Sequence, residues 1–329
     1  MTNEKNRPDP NDMQELLIFK GQKSQKTQKQ ESISLEYVDQ EDKIKLTCEL
    51  TPFGGMYRYA LLVFNESSAP ITEVKIRVRY PDFLVLSRST PPTIKIDSTN
   101  VEEEKQIKIE YEELKADSKK QINLFFAPTN LDERGEIKSY VTFVNNADFV
   151  RALDSEPVPL EFDPISIERK IIPSSEISKF LQKSNLKRAI KSVGIGNDKD
   201  FDISFYFNQV EQTIQDQGFQ LITKDLNRKI AWYYGTELVS GADVLVIGQI
   251  MYSKIEWIAS SKNPFILISL LTEFLINFTK RMLMRGMITS KNQVCDLECK
   301  YCGNILPIFP KKSEPVECKK CNYEQIVWK

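Results

Sequence analysis

Four cysteines near the end of the chain form two pairs with the spacing of a structural metal site. The pairs are Cys299 with Cys302 and Cys318 with Cys321, and 15 residues separate Cys302 from Cys318. A C-x-x-C turn places two thiolates on one side of a tight knuckle, and two facing knuckles complete a tetrahedron of sulfurs. A redox site normally has a single such pair, and disulfides would need an oxidising compartment that nothing else here indicates. The spacing therefore predicts one Zn²⁺ bound by all four thiolates.

The neighbouring residues support a structural role for this site. Gly303 and Asn322 follow the second cysteine of each pair, and these residue types most readily accept the positive φ that such turns require. Four thiolates leave no coordination position for water, which is typical of a structural site. Cys295 lies four residues before Cys299 and is an alternative ligand, although pairs with two intervening residues make the better knuckles. We expect Cys48 to be a small core residue on a strand.

The composition excludes several classes of enzyme. The 329 residues contain no histidine, which rules out Ser-His-Asp and Cys-His catalysis, HExxH metalloproteases and histidine metal ligands. The sequence has no phosphate-binding glycine loop, no dinucleotide-binding glycine motif and no nucleophile-elbow motif. Catalysis by carboxylates or lysine is a further alternative, but no motif in the sequence supports it. We therefore expect a protein that is not an enzyme.

The charge balance disfavours nucleic acid as the partner without excluding it. The chain has 45 basic and 46 acidic residues, whereas nucleic-acid-binding domains normally carry a clear positive excess. Between residues 291 and 329, seven lysines face five acidic residues, and the metallated cysteines would bring that segment close to neutrality. The alternative function is a zinc-ribbon protein associated with nucleic acid in transcription or translation. In that case one face of the ribbon would carry Lys300, Lys311, Lys312, Lys319 and Lys320.

The sequence predicts neither a secretory signal nor a transmembrane segment. Residues 1–31 are polar and of low complexity, without the apolar core of a secretory signal, and we expect a disordered N-terminal arm. The longest apolar stretch, Pro264 to Phe278, contains Glu273 and falls short of the roughly 20 residues that span a bilayer. We expect a cytoplasmic protein without a transmembrane segment, which would contact membranes only through its partners.

Residues 32–162 show a hydrophobic period of two. Apolar residues alternate along seven or eight short segments, which turn-forming stretches separate, as at Pro52 to Gly55 and Asp132 to Gly135. Regularly spaced short strands without a helical pattern are typical of an antiparallel sandwich. The sequence therefore predicts an immunoglobulin-like β-sandwich without an inter-sheet disulfide. A proline-spaced connector, which contains Pro157 and Pro164, is predicted to hold the next domain at a fixed angle.

Residues 163–288 change to a mixed pattern. A helix is predicted from Asp202 to Gln217, and a strongly apolar helix is predicted from Phe265 to Leu283. The strands predicted between them are Phe219–Thr223, Ile230–Leu238, Asp243–Tyr252 and Lys254–Ser260. This order indicates an α+β platform domain, an antiparallel sheet with helices on one face and the other face free to bind a partner. Residues 289–329 then form the C-terminal zinc ribbon. The fold class is multidomain, β followed by α+β.

The order of sandwich, tight connector and small α+β domain resembles the two-domain appendage, or ear, of clathrin-adaptor large chains and the coatomer gamma subunit. Tyr59 to Ser67, followed by Ile71 to Ile76, resembles the opening of the appendage sandwich. Ser240 to Val246 resembles the glycine turn and strand of the coatomer-type platform. The resemblance covers residues 32–286. The zinc ribbon is a departure, because these appendages do not normally carry one.

The resemblance implies recognition of short peptide motifs. Appendages of this family bind such motifs of trafficking proteins, often through an exposed aromatic residue on the platform. The implied peptide-binding residues are Tyr206, Trp232 and Tyr234, with Tyr206 nearest to the place where the family has a tryptophan. Core packing is the alternative for each of them. We therefore expect a non-enzymatic interaction module that resembles a vesicle-coat appendage and binds peptides or partner proteins.

Overall fold

The computed structural model describes residues 18–20, 43–92, 104–162, 165–196, 201–252, 254–307 and 311–328. In these residues antiparallel β-structure predominates. The arm predicted to be disordered lies outside the described residues, apart from strand β1 (Ile18–Lys20), which pairs in parallel with β9 (Val150–Asp154).

Two sheets, formed by strands between residues 43 and 162 together with β1, enclose one hydrophobic core, and we call them the two-sheet unit. The first sheet has the order β2 (Ile44–Phe53), β3 (Met56–Asn65), β7 (Ser118–Pro128) and β5 (Leu84–Thr90). The second has the order β1, β9, β8 (Gly135–Val144), β4 (Ile71–Pro81) and β6 (Glu104–Leu114), and β10 (Val158–Leu160) also pairs with β8. Alternate residues of both sheets point into the core, among them Tyr59, Leu61, Val78 and Phe126. The period of two is confirmed in these strands because one face of each sheet is buried.

Strands between Ile167 and Asp296 form a seven-stranded sheet. Its order is β11 (Ile167–Arg169), β14 (Ile230–Glu237), β15 (Asp243–Met251), β16 (Lys254–Ser261), β12 (Lys187–Ile195) and β17 (Val294–Asp296), and β13 (Gln220–Asp225) pairs with β14. Its helices are α1 (Glu176–Leu181), α2 (Ile203–Asp216) and α3 (Pro264–Met284). The two long helices were predicted, and Asp202 caps α2 by accepting a hydrogen bond from Phe205 N at 3.0 Å. Strand β12 was not predicted.

The two faces of this sheet are covered differently. Helices α2 and α3 pack on one face around Tyr233, Val246 and Trp257. On the opposite face, Ile177 and Phe180 of α1 pack with residues of the sheet, including Tyr234 and Leu245. The expectation that this second face is free is therefore wrong around α1, because a helix of only six residues covers it there.

Helix α3 connects the seven-stranded sheet with the two-sheet unit. Phe274 and Phe278 belong to the core of the sheet, whereas Ile268 belongs to the core of the two-sheet unit. Such a helix needs apolar residues on more than one side, which explains its nearly continuous apolar sequence. None of the helices in the described residues combines the length and apolar character of a membrane span.

Candidate metal centre

The four paired cysteines meet in one cluster, as the spacing predicted. Their sulfur atoms all lie within 4.8 Å of one another. The Sγ atoms of Cys299 and Cys321 are 3.7 Å apart, and those of Cys302 and Cys318 are 3.6 Å apart. A tetrahedral ion with Zn–S bonds of about 2.3 Å places its sulfurs about 3.8 Å apart. The four sulfur atoms and the distances between them thus fit a metal ion such as Zn²⁺. Each of the two close pairs contains one cysteine from each knuckle.

The first knuckle is closed by two backbone hydrogen bonds. Gly303 N donates to Cys299 O at 2.8 Å, and Cys299 N donates to Asn304 O at 2.8 Å. Gly303 has a φ of 72°, in the left-handed region that glycine enters without a steric cost. This turn brings Cys302 back beside Cys299. The positive φ predicted at Gly303 is confirmed.

The second knuckle repeats the same arrangement. Asn322 N donates to Cys318 O at 2.8 Å, and Cys318 N donates to Tyr323 O at 3.0 Å. Asn322 has a φ of 58°, and asparagine is among the residues other than glycine that tolerate this region best. The prediction for Asn322 is also confirmed. The two turns therefore present their sulfurs with equivalent backbone geometry.

The four thiols influence one another's ionisation. Burial raises the pKa of Cys318, but the backbone N–H groups of Lys320 and Cys321 and the neighbouring sulfurs outweigh it and lower the pKa to about 7. Burial first, and then hydrogen bonds to the three other sulfurs, raise the pKa of Cys321 to about 12. Cys318 therefore forms a thiolate readily, whereas the raised pKa values of Cys299 and Cys321 oppose ionisation, because several negative charges cannot share this space without a cation. A bound divalent ion would remove that conflict.

The two remaining cysteines lie outside the cluster. Cys295 is buried on β17, with its sulfur 3.6 Å from the carbonyl oxygen of Asn292, and burial raises its pKa to about 11. In the described structure it does not replace Cys299 as a ligand. Cys48 packs against the core of the two-sheet unit, and burial raises its pKa as well. Both environments favour the neutral thiol, so neither cysteine has the electropositive surroundings of a reactive one.

The cysteines belong to a segment that we call the cysteine module, residues 297–328. Its hairpin consists of β18 (Pro315–Glu317) and β19 (Glu324–Ile326). The preceding strand β17 pairs antiparallel with β12, with Cys295 opposite Gly194. The module therefore follows directly from the edge of the seven-stranded sheet.

A second contact fixes the module to the two-sheet unit. Arg88 of β5 donates from Nε to Glu298 Oε1 at 3.1 Å, and its guanidinium lies 3.5 Å from the ring centroid of Phe125. Burial first, and then the charge of Asp296, raise the pKa of Glu298 to about 7, although Arg88 lowers it. A carbon added at Gly303 would lie 2.6 Å from Arg88 Nε. The first knuckle is thus held against Arg88.

Two tyrosines on the knuckles form an exposed stacked pair. The ring centroids of Tyr301 and Tyr323 are 5.5 Å apart with an interplanar angle of 24°. Their relative exposures are 46% and 44%. The lysines predicted to line a ribbon face are all exposed: Lys300, Lys311, Lys312, Lys319 and Lys320. Neither periodicity nor spacing predicted this tyrosine pair, because Tyr301 and Tyr323 lie 22 positions apart and approach each other only once the two knuckles have assembled.

The three residues proposed for peptide binding do not form one surface, which corrects that prediction. Tyr206 lies on the buried face of α2 and stacks on Phe201, with ring centroids 4.4 Å apart. Tyr234 is buried on the opposite face of the sheet against Phe180, with centroids 5.4 Å apart. Trp232 is half-buried beside it. Core packing prevails for Tyr206 and Tyr234 because helices lie over both faces at these positions.

Comparisons with known proteins give no family for the chain. No family model matches it, and no curated protein matches its sequence. The major pilin subunit BcpA of Bacillus cereus is 13% identical, with 65% of each chain covered and a TM-score of 0.27. A GH20 exo-β-N-acetylglucosaminidase from Vibrio harveyi is 11% identical over 67% of this chain and 39% of its own, with a TM-score of 0.26. The sporulation control protein Spo0M from Bacillus subtilis is 8% identical over 64% and 75%, with a TM-score of 0.19. Similarity at this level supports no conclusion about function.

Proposed function

We propose that this chain is a non-enzymatic protein-interaction module, built from an immunoglobulin-like β-sandwich, an α+β platform and a C-terminal zinc ribbon, in the manner of a vesicle-coat appendage. A metal ion bound by the four cysteines would have a structural and not a catalytic role. Four thiolates complete a tetrahedral sphere, so the ion has no position for water or substrate. Its role is to hold the two knuckles together.

The exposed pair of Tyr301 and Tyr323 carries this proposal. Each tyrosine sits on a knuckle whose backbone is fixed by hydrogen bonds and whose sulfurs face the metal position. Tyrosine is enriched at the energetic centres of protein interfaces, and a side chain already held in place loses little entropy on binding. The pair thus offers a preorganised aromatic anchor for a partner protein.

A second candidate function is favoured by the lysines next to the pair. Lys300, Lys319 and Lys320 are exposed within the two C-x-x-C turns. Stacked aromatic side chains beside positive charges are also the arrangement that binds single-stranded nucleic acid. We rank this function second because the acidic residues of the module offset most of the charge of its lysines.

Capture of partners from the source cell tests the proposal with point variants. Deletion of residues 291–329 would remove β17 from the sheet, so we prefer the double variant Tyr301→Ala, Tyr323→Ala. The matched control is Tyr252→Ala, since Tyr252 is 87% exposed in the turn between β15 and β16. Zinc content and far-UV circular dichroism of each variant report on its folding.

The outcome separates the two functions. We expect membrane-trafficking proteins to be captured by the wild-type chain and by Tyr252→Ala, to be lost with the double variant, and to be unaffected by nuclease. Ribosomal or polymerase components that disappear after nuclease treatment would establish the second function instead. Equal capture by all three proteins would show that the tyrosine pair is not the binding site.

A further inference from the structure

Strand β12 has an edge that is only partly used. Strand β17 pairs with three of its nine residues, Val193 to Ile195. One further bond follows, from Leu297 N to Ser192 O at 3.0 Å. From Lys187 to Ile190 the described residues provide no strand on this side, although β16 pairs with the other side along this whole stretch. Among the described residues, the edge of β12 is therefore unpaired from Lys187 to Ile190, directly beside the residues that pair with β17.

The direction of the backbone groups along this edge follows from one observed bond. Ser192 O points toward β17, away from β16. In an antiparallel ladder alternate residues direct their N–H and C=O groups to the same side. Arg188 and Ile190 therefore direct both groups to the open edge, and no backbone partner for them exists among the described residues. Unpaired edges of this kind are templates for an added strand.

A cleft of about 250 Å³ lies along this edge. The turn between β2 and β3 forms one wall, where Phe53 is 48% exposed. The cysteine module forms the other wall with Glu298 and Ile305. The cleft thus exists only because all three parts of the protein meet here.

The chemistry of the cleft combines an apolar patch with an uncompensated positive charge. The side chains of Arg188 and Ile190 lie on the same face of β12 because they are two residues apart, and Ile190 is 38% exposed. The carboxylates of the cleft already have partners, Asp296 with Lys191 and Glu298 with Arg88. Arg188, in contrast, forms no ion pair within the part of the chain that the structure describes.

We propose that this cleft binds an extended acidic segment of a partner protein, which adds to β12 as an antiparallel strand in line with β17. The inference rests on the proposed function as a protein-interaction module and specifies its ligand. In this register an apolar residue lies opposite Ile190, and an acidic residue two positions later lies opposite Arg188. Strands of only three residues, such as β10, β11 and β17, already pair within this protein, so a short segment is sufficient.

Amide exchange measured by NMR on the full chain tests the pairing directly. The probe is a capped seven-residue threonine peptide with valine and glutamate two positions apart, and the control peptide has lysine in place of glutamate. We expect the amides of Arg188 and Ile190 to exchange rapidly in the free protein and at least tenfold more slowly with the glutamate peptide. The amide of Lys191, directed toward β16, serves as the internal reference and should exchange slowly throughout.

Two variants distinguish backbone pairing from charge. Ile190→Pro removes an N–H that faces the cleft without removing a bond to β16, and we expect it to abolish protection by the peptide. Arg188→Glu should weaken binding of the glutamate peptide about tenfold and favour the lysine peptide by a similar factor. Ile190→Val, which keeps the N–H and an apolar side chain, is the matched control and should bind as wild type does.

Three results would overturn the inference: slow exchange of Arg188 and Ile190 in the free protein, equal protection by both peptides, or full binding by Ile190→Pro. Any of these, together with capture that still depends on Tyr301 and Tyr323, leaves the proposed function intact and removes only this site. Capture unaffected by the tyrosine variants, with peptide binding at β12 retained, would instead remove the tyrosine site and keep the cleft.

Discussion

At the scale of single residues, the cysteines of the module show how the ionisation of one thiol depends on its burial and on its neighbours. Burial of Cys299 and Cys321 raises their thiol pKa values, whereas the pKa of Cys318 is lowered to about 7. Cys318 is thus ready to bind a cation as a thiolate, whereas Cys299 and Cys321 would ionise as the cation arrives. The pKa values of these thiols thus favour the cluster with a bound cation over the cluster without one.

The amount of zinc bound per protein molecule tests which cysteines are metal ligands. We expect the protein purified without chelator to contain one equivalent of zinc by inductively coupled plasma mass spectrometry. Cys302→Ser should lose most of it, because a hydroxyl is a far poorer ligand than a thiolate for this ion. Cys295→Ser is the matched control and should retain the full equivalent, since its sulfur lies outside the cluster. Loss of zinc from Cys295→Ser alone would contradict the ligand assignment.

Glu273 on α3 is a second residue whose ionisation is perturbed. Its Oε2 atom is buried without a hydrogen-bond partner in the described structure. Burial first, and then the charge of Asp132, raise its pKa to about 7, although a backbone hydrogen bond from Ile165 lowers it. Asp132 belongs to the two-sheet unit, whereas Ile165 packs against the core of the seven-stranded sheet. The charge of Glu273 therefore opposes the packing of α3 between the two parts of the molecule.

The pH dependence of stability follows from that raised pKa. In the folded state Glu273 holds its proton up to about pH 7, and in the unfolded state only to about pH 4.5, so its contribution weakens folding as pH rises between these values. We expect Glu273→Gln to raise the free energy of unfolding by about 1 kcal/mol at pH 8, after allowance for partial exposure. The gain should vanish below pH 4.5. Urea titrations at both pH values measure it, with Glu168→Gln on the exposed part of β11 as the control.

At the scale of elements, each knuckle brings its two cysteines together because the turn reverses the chain within four residues. Gly303 and Asn322 both have positive φ, and each turn is closed by the same pair of backbone hydrogen bonds. The first knuckle differs in one respect, because it has no room for a side chain at Gly303. Asn322 shows that the backbone conformation itself tolerates another residue type.

Two glycine substitutions separate backbone strain from steric conflict. Gly54 has a φ of 59° with nothing within 4 Å of an added carbon. Gly54→Ala should therefore cost about 1 kcal/mol from the left-handed backbone alone. Gly303→Ala adds a clash with Arg88 Nε at 2.6 Å, and we expect a loss that is larger by about 1–2 kcal/mol. Chemical denaturation of the two variants measures the difference, and equal losses would show that Arg88 moves away without cost.

At the scale of the whole molecule, contacts distant in sequence hold the three parts together. Arg88 and Glu298 are separated by 210 positions, and both side chains are mostly buried. Helix α3 contributes to two cores. Trp328 of the cysteine module also packs beside the end of β12, since a carbon added at Gly196 would lie 2.5 Å from Trp328 Cδ2. The parts therefore form one framework around the cleft.

A double-mutant cycle measures the strength of the Arg88–Glu298 contact. Each single alanine variant should lose about 2 kcal/mol, because the remaining charge stays mostly buried without its partner. The double variant should lose less than the sum, with a coupling energy of about 1–2 kcal/mol at pH 8, where Glu298 is ionised. The exposed pair Lys45 and Glu66 is the control, with coupling below about 1 kcal/mol. Additive losses at Arg88 and Glu298 would contradict a connection between the parts.

The unpredicted strand β12 shows where sequence patterns fail. Its buried residues Ala189, Val193 and Ile195 follow a period of two, but Lys191 interrupts the apolar series. Lys191 occupies that position because it pairs with Asp296 of β17, more than a hundred residues away. The prediction that Tyr206, Trp232 and Tyr234 form a peptide-binding site was wrong for a related reason. Trp232 and Tyr234 are two residues apart on β14 and so share one face of the sheet, but a period of two contains no information about the helix that covers that face.

The sequence alone determined the features that depend on neighbours along the chain: the two cysteine pairs that form one cluster, the positive φ of Gly303 and Asn322, the alternating strands and the two long helices. Their physics is local, because a turn or a helix satisfies its own hydrogen bonds within a few residues. Only the tertiary structure decided which aromatic residues are exposed, how β17 joins β12, and where Arg88 meets Glu298. Those outcomes depend on burial and pairing between distant segments, and a single strand or knuckle has no means to specify its distant partner.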